Sequence, residues 1–459
     1  MTVELPPEIF KAYDIRGVVG RQLTPQVVER IGRALGAMAL EQGSRAIAIA
    51  RDGRLSGPEL SQALARGILA SGCNVFDIGM ATTPMGYFAA FELGTGSAVV
   101  VTGSHNPPDY NGLKMVVAGT TLSGDAVQAL RQRAQADDTP PGQGEYESRD
   151  VREAYLARIA GDVKLDRRMK IAVDCGNGVA GMVAPALYRR MGCDVVELFC
   201  EVDGRFPNHH PDPSHPENLR DLARTLATTD CELGLAFDGD GDRLGVVTRD
   251  GNIIFPDRQM MLLARGVLEA HPGAEIIFDV KCSRHLAREI AARGGVPTMW
   301  RTGHSLIKAK LRETGAPLAG EMSGHIFFND RWPGFDDGMY AGARLLELLS
   351  READPSAVLN ALPDAVSTPE LHLKTAEGEN FALVERLQRE AKFDGAREVV
   401  TIDGVRVDYA DGFGLARPSN TTPVLVLRFE ADDAAGLARI QADFRRALLA
   451  IKPDARLPF

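Results

Sequence analysis

Aromatic residues make up only 6% of the chain, with two tryptophans, and there is no excess of positive charge. Lys and Arg number 52 against 62 Asp and Glu, a formal net charge of -10. A basic face for nucleic acid or for an anionic membrane surface is therefore not expected. No apolar run approaches the ~20 residues that span a bilayer. The first residues, Met-Thr-Val-Glu-Leu-Pro-Pro, offer neither a basic start nor an apolar stretch, so no secretory signal is expected. The six cysteines (Cys73, Cys175, Cys193, Cys200, Cys231 and Cys282) form no C-x-x-C pair. That argues against a zinc site or a disulfide framework and for reduced thiols in a cytoplasmic protein. The esterase pattern G-x-S-x-G is missing too.

The chain has 459 residues, 44% of them hydrophobic and 25% charged, as in a globular protein of three or four domains. One pattern recurs three times. The apolar run 46–52 leads into helical periodicity over 59–70 and a second apolar run at 72–76. Residues 170–174, 183–191 and 192–196 repeat it, as do 275–279, 285–292 and 294–296. Strand, helix, strand at this length predicts a βαβ unit with two parallel strands, and the threefold echo suggests three related domains. The Pro/Gly-rich stretch 137–144 reads as a linker, a second seam follows the hairpin around Arg249-Asp250-Gly251, and a third lies near Leu362-Pro-Asp364. Beyond it, 399–402 and 405–409 flank Asp403-Gly404 as a hairpin, 422–429 adds a strand and 432–451 an amphipathic helix. The expected divisions are 1–149, 150–252 and 253–366, all α/β with mixed sheets, and 367–459, α+β.

Three aspartates alternate with glycine in Asp238-Gly-Asp240-Gly-Asp242-Arg243, after the apolar run 232–237. Glycine lets the backbone turn so that the carboxylates converge, and three carboxylates share a small volume only around a cation. A hard, oxygen-liking ion such as Mg²⁺ suits them; an acidic turn is the plain alternative. An EF-hand loop is ruled out, because Arg243 stands where it needs glycine and Arg249 where it needs glutamate.

Three further loops carry chemistry. Ser104 in Thr102-Gly-Ser-His-Asn-Pro107 sits where a buried strand stops, and the amides of residues 102–105 are expected to be free to hold an anion. The serine reads as a nucleophile or as a cap or turn residue. Gly320-Glu-Met-Ser-Gly-His325 offers Glu321 and Ser323 for sugar hydroxyls and His325 for a proton. Arg417-Pro-Ser-Asn-Thr-Thr-Pro423 combines a guanidinium with Ser419, Asn420 and Thr421, a phosphate clamp or a polar hairpin loop.

The four motifs, one per expected domain and in order, resemble bacterial phosphomannomutase/phosphoglucomutase of the α-D-phosphohexomutase superfamily along the whole chain. The segment from Phe10 to Gly17, with Tyr13 and Arg16, matches the family's opening, and Lys114, Lys281, Gly303 and His304 match further cleft positions. The resemblance implies three α/β domains and a fourth like a TATA-box-binding-protein fold around a central cleft. It implies a phosphoserine at Ser104, Mg²⁺ on Asp238, Asp240, Asp242 and a phosphoserine oxygen, and phosphate held by Arg417, Ser419, Asn420 and Thr421. Glu321 and Ser323 would hold the 3- and 4-hydroxyls, which glucose and mannose share. Arg16, Lys114, Arg243 and His325 are the expected catalytic groups; Lys114 and His325, with Arg16 close by, are the candidates for general base and acid, and the sequence does not rank them. The expected reaction interconverts hexose 1- and 6-phosphates through a 1,6-bisphosphate that turns in the cleft, with glucose 1,6-bisphosphate as activator, and supplies sugar 1-phosphates for nucleotide-sugar and polysaccharide synthesis. A cytoplasmic monomer acting on small sugar phosphates is expected. Glucosamine-specific relatives typically carry Gln where Met322 stands, so a phosphoglucosamine mutase is the nearer alternative. A sugar-phosphate binding protein or a phosphoserine hydrolase on the same scaffold are the others.

Overall fold

The computed structural model describes residues 4–420 and 422–459, and its strands fall into four sheets met in turn along the chain. In the first, Ala46–Arg51 lies parallel to both neighbours, Ala98–Val101 and Asn74–Met80. Antiparallel Tyr110–Val117 and Ile15–Val18 extend one edge and Tyr146–Ser148 the other. The second sheet sets Lys170–Asp174 between parallel Asp194–Leu198 and Leu233–Phe237, then runs antiparallel through Leu244–Thr248 and Ile253–Ile254. The third sets Glu275–Asp279 between parallel Val296–Trp300 and Leu318–Gly320 and ends on antiparallel Ile326–Phe328.

The echoed segments are parallel strand pairs joined by the helices Gly57–Ala70, Ala184–Arg190 and Arg284–Ala292. Each second strand begins at Asn74, Asp194 or Val296 instead of at the preceding glycine. Gly72, Gly192 and Gly294 instead form the turns that end the helices, with φ of +89°, +100° and +77°, which glycine adopts without strain. The stretch 137–144 is not a free tether. Its Gly142 and Gly144 amides donate to the carbonyls of Ala70 and Leu69, and the chain continues as the edge strand Tyr146–Ser148.

The fourth sheet is antiparallel, in the order Val366–Ser367, Val424–Ala431, Gly412–Pro418, Val405–Asp408 and Glu398–Val400, with Leu371–Lys374 also on Val424–Ala431. Helices Glu379–Glu390 and Ala434–Ile451 pack on it. Its hairpin differs from the sequence expectation: the strand stops at Val400, and 401–404 form a longer turn because Asp403 is drawn into bonds with Thr302 and Arg417. One apolar core runs through the first three sheets, with Phe88, Tyr155, Phe328, Trp332 and Tyr340 among its members, whereas the fourth sheet and its helices bury their own. The joint between third and fourth segments combines a small apolar cluster, Val280 with Phe413 and Leu415, with polar contacts. Arg406 donates to the carbonyls of Val280 (2.7 Å) and Cys282 (2.8 Å), and Arg428 to that of Lys281 and to Asp257. No helix among the described residues is long and apolar enough to cross a membrane.

Candidate active site

Strand Leu233–Phe237 is buried at every position, so its end delivers the 238–243 turn into the interior. Asp238, Asp240 and Asp242 are each 0% exposed, with ligand oxygens within 4.8 Å of one another. Burial, and then repulsion from Asp240 and Asp242, pushes the Asp238 carboxyl well above the usual carboxylate range. Burial acts the same way on Asp240, but Lys114, whose Nζ donates to it at 2.8 Å, holds that carboxyl below the range. Lys114 also donates to Asp242, and the aspartates outweigh burial to keep its ammonium above its ordinary value. Asp240 Oδ1 and Asp242 Oδ1 are buried without a hydrogen-bond partner. Unpartnered buried carboxylate oxygens around a shared centre are the donor set that a hard divalent cation takes, so the residues fit such an ion.

The serine loop packs against this turn at Ser104. A Cβ on Gly239 would stand 2.4 Å from the Ser104 carbonyl oxygen, so glycine there permits the approach. Ser104 follows the fully buried strand Ala98–Val101, is 1% exposed and holds φ at +48°. Its hydroxyl donates to Asp238 Oδ2 at 3.0 Å and lies 3.3 Å from His105 Nδ1. Burial, aided by Arg243, Arg16 and Lys114, pushes His105 well below its ordinary value, so its ring is neutral. The anion cradle expected from four free amides is not there. Thr102 N–H donates to Gly112 O (3.1 Å), Gly103 N–H to Asp52 (3.1 Å) and Ser104 N–H to Thr102 Oγ1 (2.8 Å), which engages three of them in holding the turn. Arg16 donates to Asn106 at the far side of the loop and to Asp14 at 2.6 Å.

The hairpin of Leu318–Gly320 and Ile326–Phe328 carries the third loop. Glu321, 1% exposed, accepts from Gly303 N–H at 2.5 Å, and burial pushes its carboxyl up. Met322 and Ser323 are half-buried. His325 faces Arg243 across an isolated antiparallel bridge, which joins this loop to the aspartate turn. Arg243 Nε donates to His325 Nε2 at 3.1 Å. An Arg N–H only donates, so Nε2 is the unprotonated nitrogen and Nδ1, 2.9 Å from Asp336, carries the proton. Lys308 donates to the same Asp336 at 2.9 Å. His304 meets the Tyr13 ring edge to face at 5.3 Å, both its nitrogens are buried without hydrogen-bond partners, with Nδ1 3.9 Å from Asp336, and burial pushes it well down. Lys281 donates to Glu370 at 2.6 Å.

Arg417, 5% exposed, projects from strand Gly412–Pro418, and its Nε donates to Asp403 at 3.0 Å. Asp403 accepts Thr302 N–H at 2.9 Å as well, which ties the fourth loop to the third. Ser419 Oγ lies 3.0 Å from Thr422 Oγ1, Asn420 is half-buried, and Thr421 lies outside the described residues. Sequence reasoning left out Asp336, Lys308, Asp403 and Glu370. Of these, only Asp336, in the pair Asp336-Asp337, carries a local signal by which it could be found.

Four family models cover nearly the whole chain: phosphoglucomutase/phosphomannomutase alpha/beta/alpha domain I on residues 7–140, domain II on 153–251, domain III on 255–366 and the C-terminal domain on 370–447. The phosphomannomutase/phosphoglucomutase of Pseudomonas aeruginosa is 55% identical over 456 residues, 99% of this chain and 98% of that one. The phosphoglucomutase of Neisseria gonorrhoeae is 56% identical over 444 residues, 96% of each. A crystal structure of a phosphoglucomutase/phosphomannomutase family protein from Burkholderia thailandensis is 61% identical, covers 99% of this chain and 100% of its own, and superposes with a TM-score of 0.95.

Proposed function

The chain belongs to the phosphoglucomutase/phosphomannomutase family, and on that premise we propose that it interconverts the 1- and 6-phosphates of glucose and mannose through phosphoserine 104 and a 1,6-bisphosphate. The observation that carries this reading is the Ser104 hydroxyl 3.0 Å from Asp238, a nucleophile at the edge of a buried three-carboxylate site. Divided at 149, 252 and 366, each of four domains supplies one loop. Mg²⁺ held by Asp238, Asp240, Asp242 and an oxygen on Ser104 would supply positive charge against the charge developing on the transferred phosphoryl group.

The chain's own residues do the rest. Arg417, Ser419, Asn420 and Thr421 grip the substrate's phosphate, Glu321 and Ser323 its shared 3- and 4-hydroxyls, and Tyr13, Lys281, Gly303 and His304 line the remainder. Arg16, Lys114 and Arg243 face the reacting phosphoryl group, where fixed charge acts without reorganisation. The bond from phosphorus to Ser104 breaks as the bond to the free sugar hydroxyl forms. That hydroxyl's proton goes to His325 Nε2 as Arg243 Nε–H, which occupies this lone pair in the free site, turns to the phosphoryl group, and His325 gives the proton on to the departing Ser104 Oγ; Lys114, whose ammonium is held above its ordinary value, keeps its proton and supplies fixed charge. The bisphosphate then turns end for end, and the reverse transfer restores phosphoserine. Glucose 1,6-bisphosphate activates by recharging Ser104, and the enzyme works as a cytoplasmic monomer.

Intact-mass analysis and a coupled assay test the reading. Protein treated with glucose 1,6-bisphosphate should carry one phosphate on Ser104 and convert glucose and mannose 1-phosphates with efficiencies within about tenfold, since recognition ignores C2. A phosphate-free, inactive protein would be a binding protein, and steady release of inorganic phosphate would mark a hydrolase. Strong preference for glucosamine phosphate would overturn the sugar assignment.

A further inference from the structure

We infer that Arg54 is a positioning residue for the nucleophile: its single buried guanidinium holds the backbone of the serine loop from beneath. The inference rests on the reading of Ser104 as phosphoryl acceptor. Arg54 follows strand Ala46–Arg51, precedes helix Gly57–Ala70 and is 2% exposed. Every N–H of the side chain is engaged. Nε donates to Asp52 at 3.2 Å, one terminal nitrogen to the carbonyls of Pro107 (2.5 Å) and Tyr110 (3.0 Å), and the other to those of Ser104 (2.8 Å) and Asn106 (2.6 Å). Asp52 completes the frame by accepting from Thr102 Oγ1 at 2.8 Å, Gly103 N–H at 3.1 Å and Arg54 N–H at 2.9 Å.

This frame answers a need on the loop itself. Ser104 sits at φ +48°, which a residue with a Cβ holds only where its surroundings over-determine it. Four carbonyls fixed on one rigid fork supply that constraint and turn the Ser104 hydroxyl toward Asp238 and His105. Gly103 leaves the room, since a Cβ there would lie 2.4 Å from the guanidinium carbon. Phe206, from the segment of the second sheet, covers the guanidinium with its ring centroid at 5.2 Å. A lysine cannot replace this residue, because one ammonium has too few donors, all at a single point.

The test compares wild type, Arg54→Lys, Arg54→Ala and Gly103→Ala. Intact mass first follows phosphate transfer from glucose 1,6-bisphosphate to each protein. A wild type that takes no phosphate would overturn the premise about Ser104, separately from the role of Arg54. With a competent wild type, Arg54→Lys and Arg54→Ala should take phosphate at least 100-fold more slowly. Their kcat should fall in parallel, while KM for glucose 1-phosphate stays within threefold, because the binding groups lie on other loops. Added methylguanidinium should restore part of the Arg54→Ala rate and methylamine should not. Should the Arg54 variants fail to fold, Gly103→Ala, which displaces the guanidinium but keeps the ion pair, must show the same kcat-selective loss. Wild-type phosphorylation in any of these variants, or a loss confined to KM, would overturn the inference.

Discussion

Arg417→Ala tests the phosphate clamp and the acid that holds it. The guanidinium is buried with its Nε on Asp403, whose side chain is itself only 8% exposed. Removing Arg417 takes away charge-assisted bonds to the substrate's phosphate, worth about 1.5–3 kcal/mol, and strands a carboxylate, a further ~1–3 kcal/mol. Together these predict a fall in kcat/KM of about 10²- to 10⁴-fold, at about 1.4 kcal/mol per tenfold. The fall should be similar for glucose 1-phosphate and glucose 6-phosphate, since one clamp takes the phosphate at either end of the sugar. In the double variant Asp403→Asn, Arg417→Ala the stranded charge is gone, and about tenfold should return. Steady-state assays run in both directions measure this. A loss restricted to one isomer would refute the shared clamp, and no recovery in the double variant would refute the role given to Asp403.

Ser104→Ala should lower kcat by at least about 10³-fold, take up no phosphate and unfold at the wild-type temperature; near-normal turnover removes the serine from the mechanism. Asp240→Asn should weaken Mg²⁺ binding by at least about tenfold in calorimetry, and unchanged binding would make the aspartate turn structural only. Burial pushes the Asp337 carboxyl from its ordinary 3.8 up to about 7, although Tyr155 donates to both its oxygens. The unfolded chain releases this proton near pH 4 and the folded chain near pH 7, so the stabilisation is complete below pH 4 and about 4 kcal/mol is lost as pH rises through 7. Asp337→Asn keeps an acceptor for the Tyr340 amide. Its melting temperature should therefore gain on wild type between pH 5 and 8, and parallel profiles would contradict this.

The parts of the site that were legible in sequence are those encoded within a few residues. Asp238, Asp240 and Asp242 alternate with glycine at a strand end and meet in the interior, so local spacing suffices to find them; the loop proposed to take the phosphate, with Arg417, Ser419 and Asn420, is likewise one short stretch. The βαβ echo was legible for the same reason. The groups that hold these residues were not, because the fold brings them from afar: Arg243 meets His325 across 82 residues and Lys281 meets Glu370 across 89. Two details differ from the sequence expectation. At the serine turn Asp52 and Gly112 claim the amides of Gly103 and Thr102, and Thr102 Oγ1 claims that of Ser104; at Asp403-Gly404 the aspartate is bonded to distant Thr302.

The same pairings change how the cleft's charge is understood. The basic residues Arg16, Lys114, Arg243, Lys281 and Arg417 stand in a protein of net charge -10. In the structure Arg16 pairs with Asp14, Lys114 with Asp240 and Asp242, Lys281 with Glu370 and Arg417 with Asp403. A mutase must release and regrip a bisphosphate at each turnover, so a clamp of bare cations would hold it too firmly to turn. Carboxylates behind the cations moderate that grip. Asp403→Asn alone should then lower KM for glucose 1-phosphate severalfold and lower kcat with it, as the bisphosphate turns more slowly and escapes less often. Burst kinetics with chromatographic trapping of free bisphosphate separate the two effects. An unchanged KM, or more bisphosphate escaping than in wild type, would show that Asp403 orients Arg417 without moderating its grip.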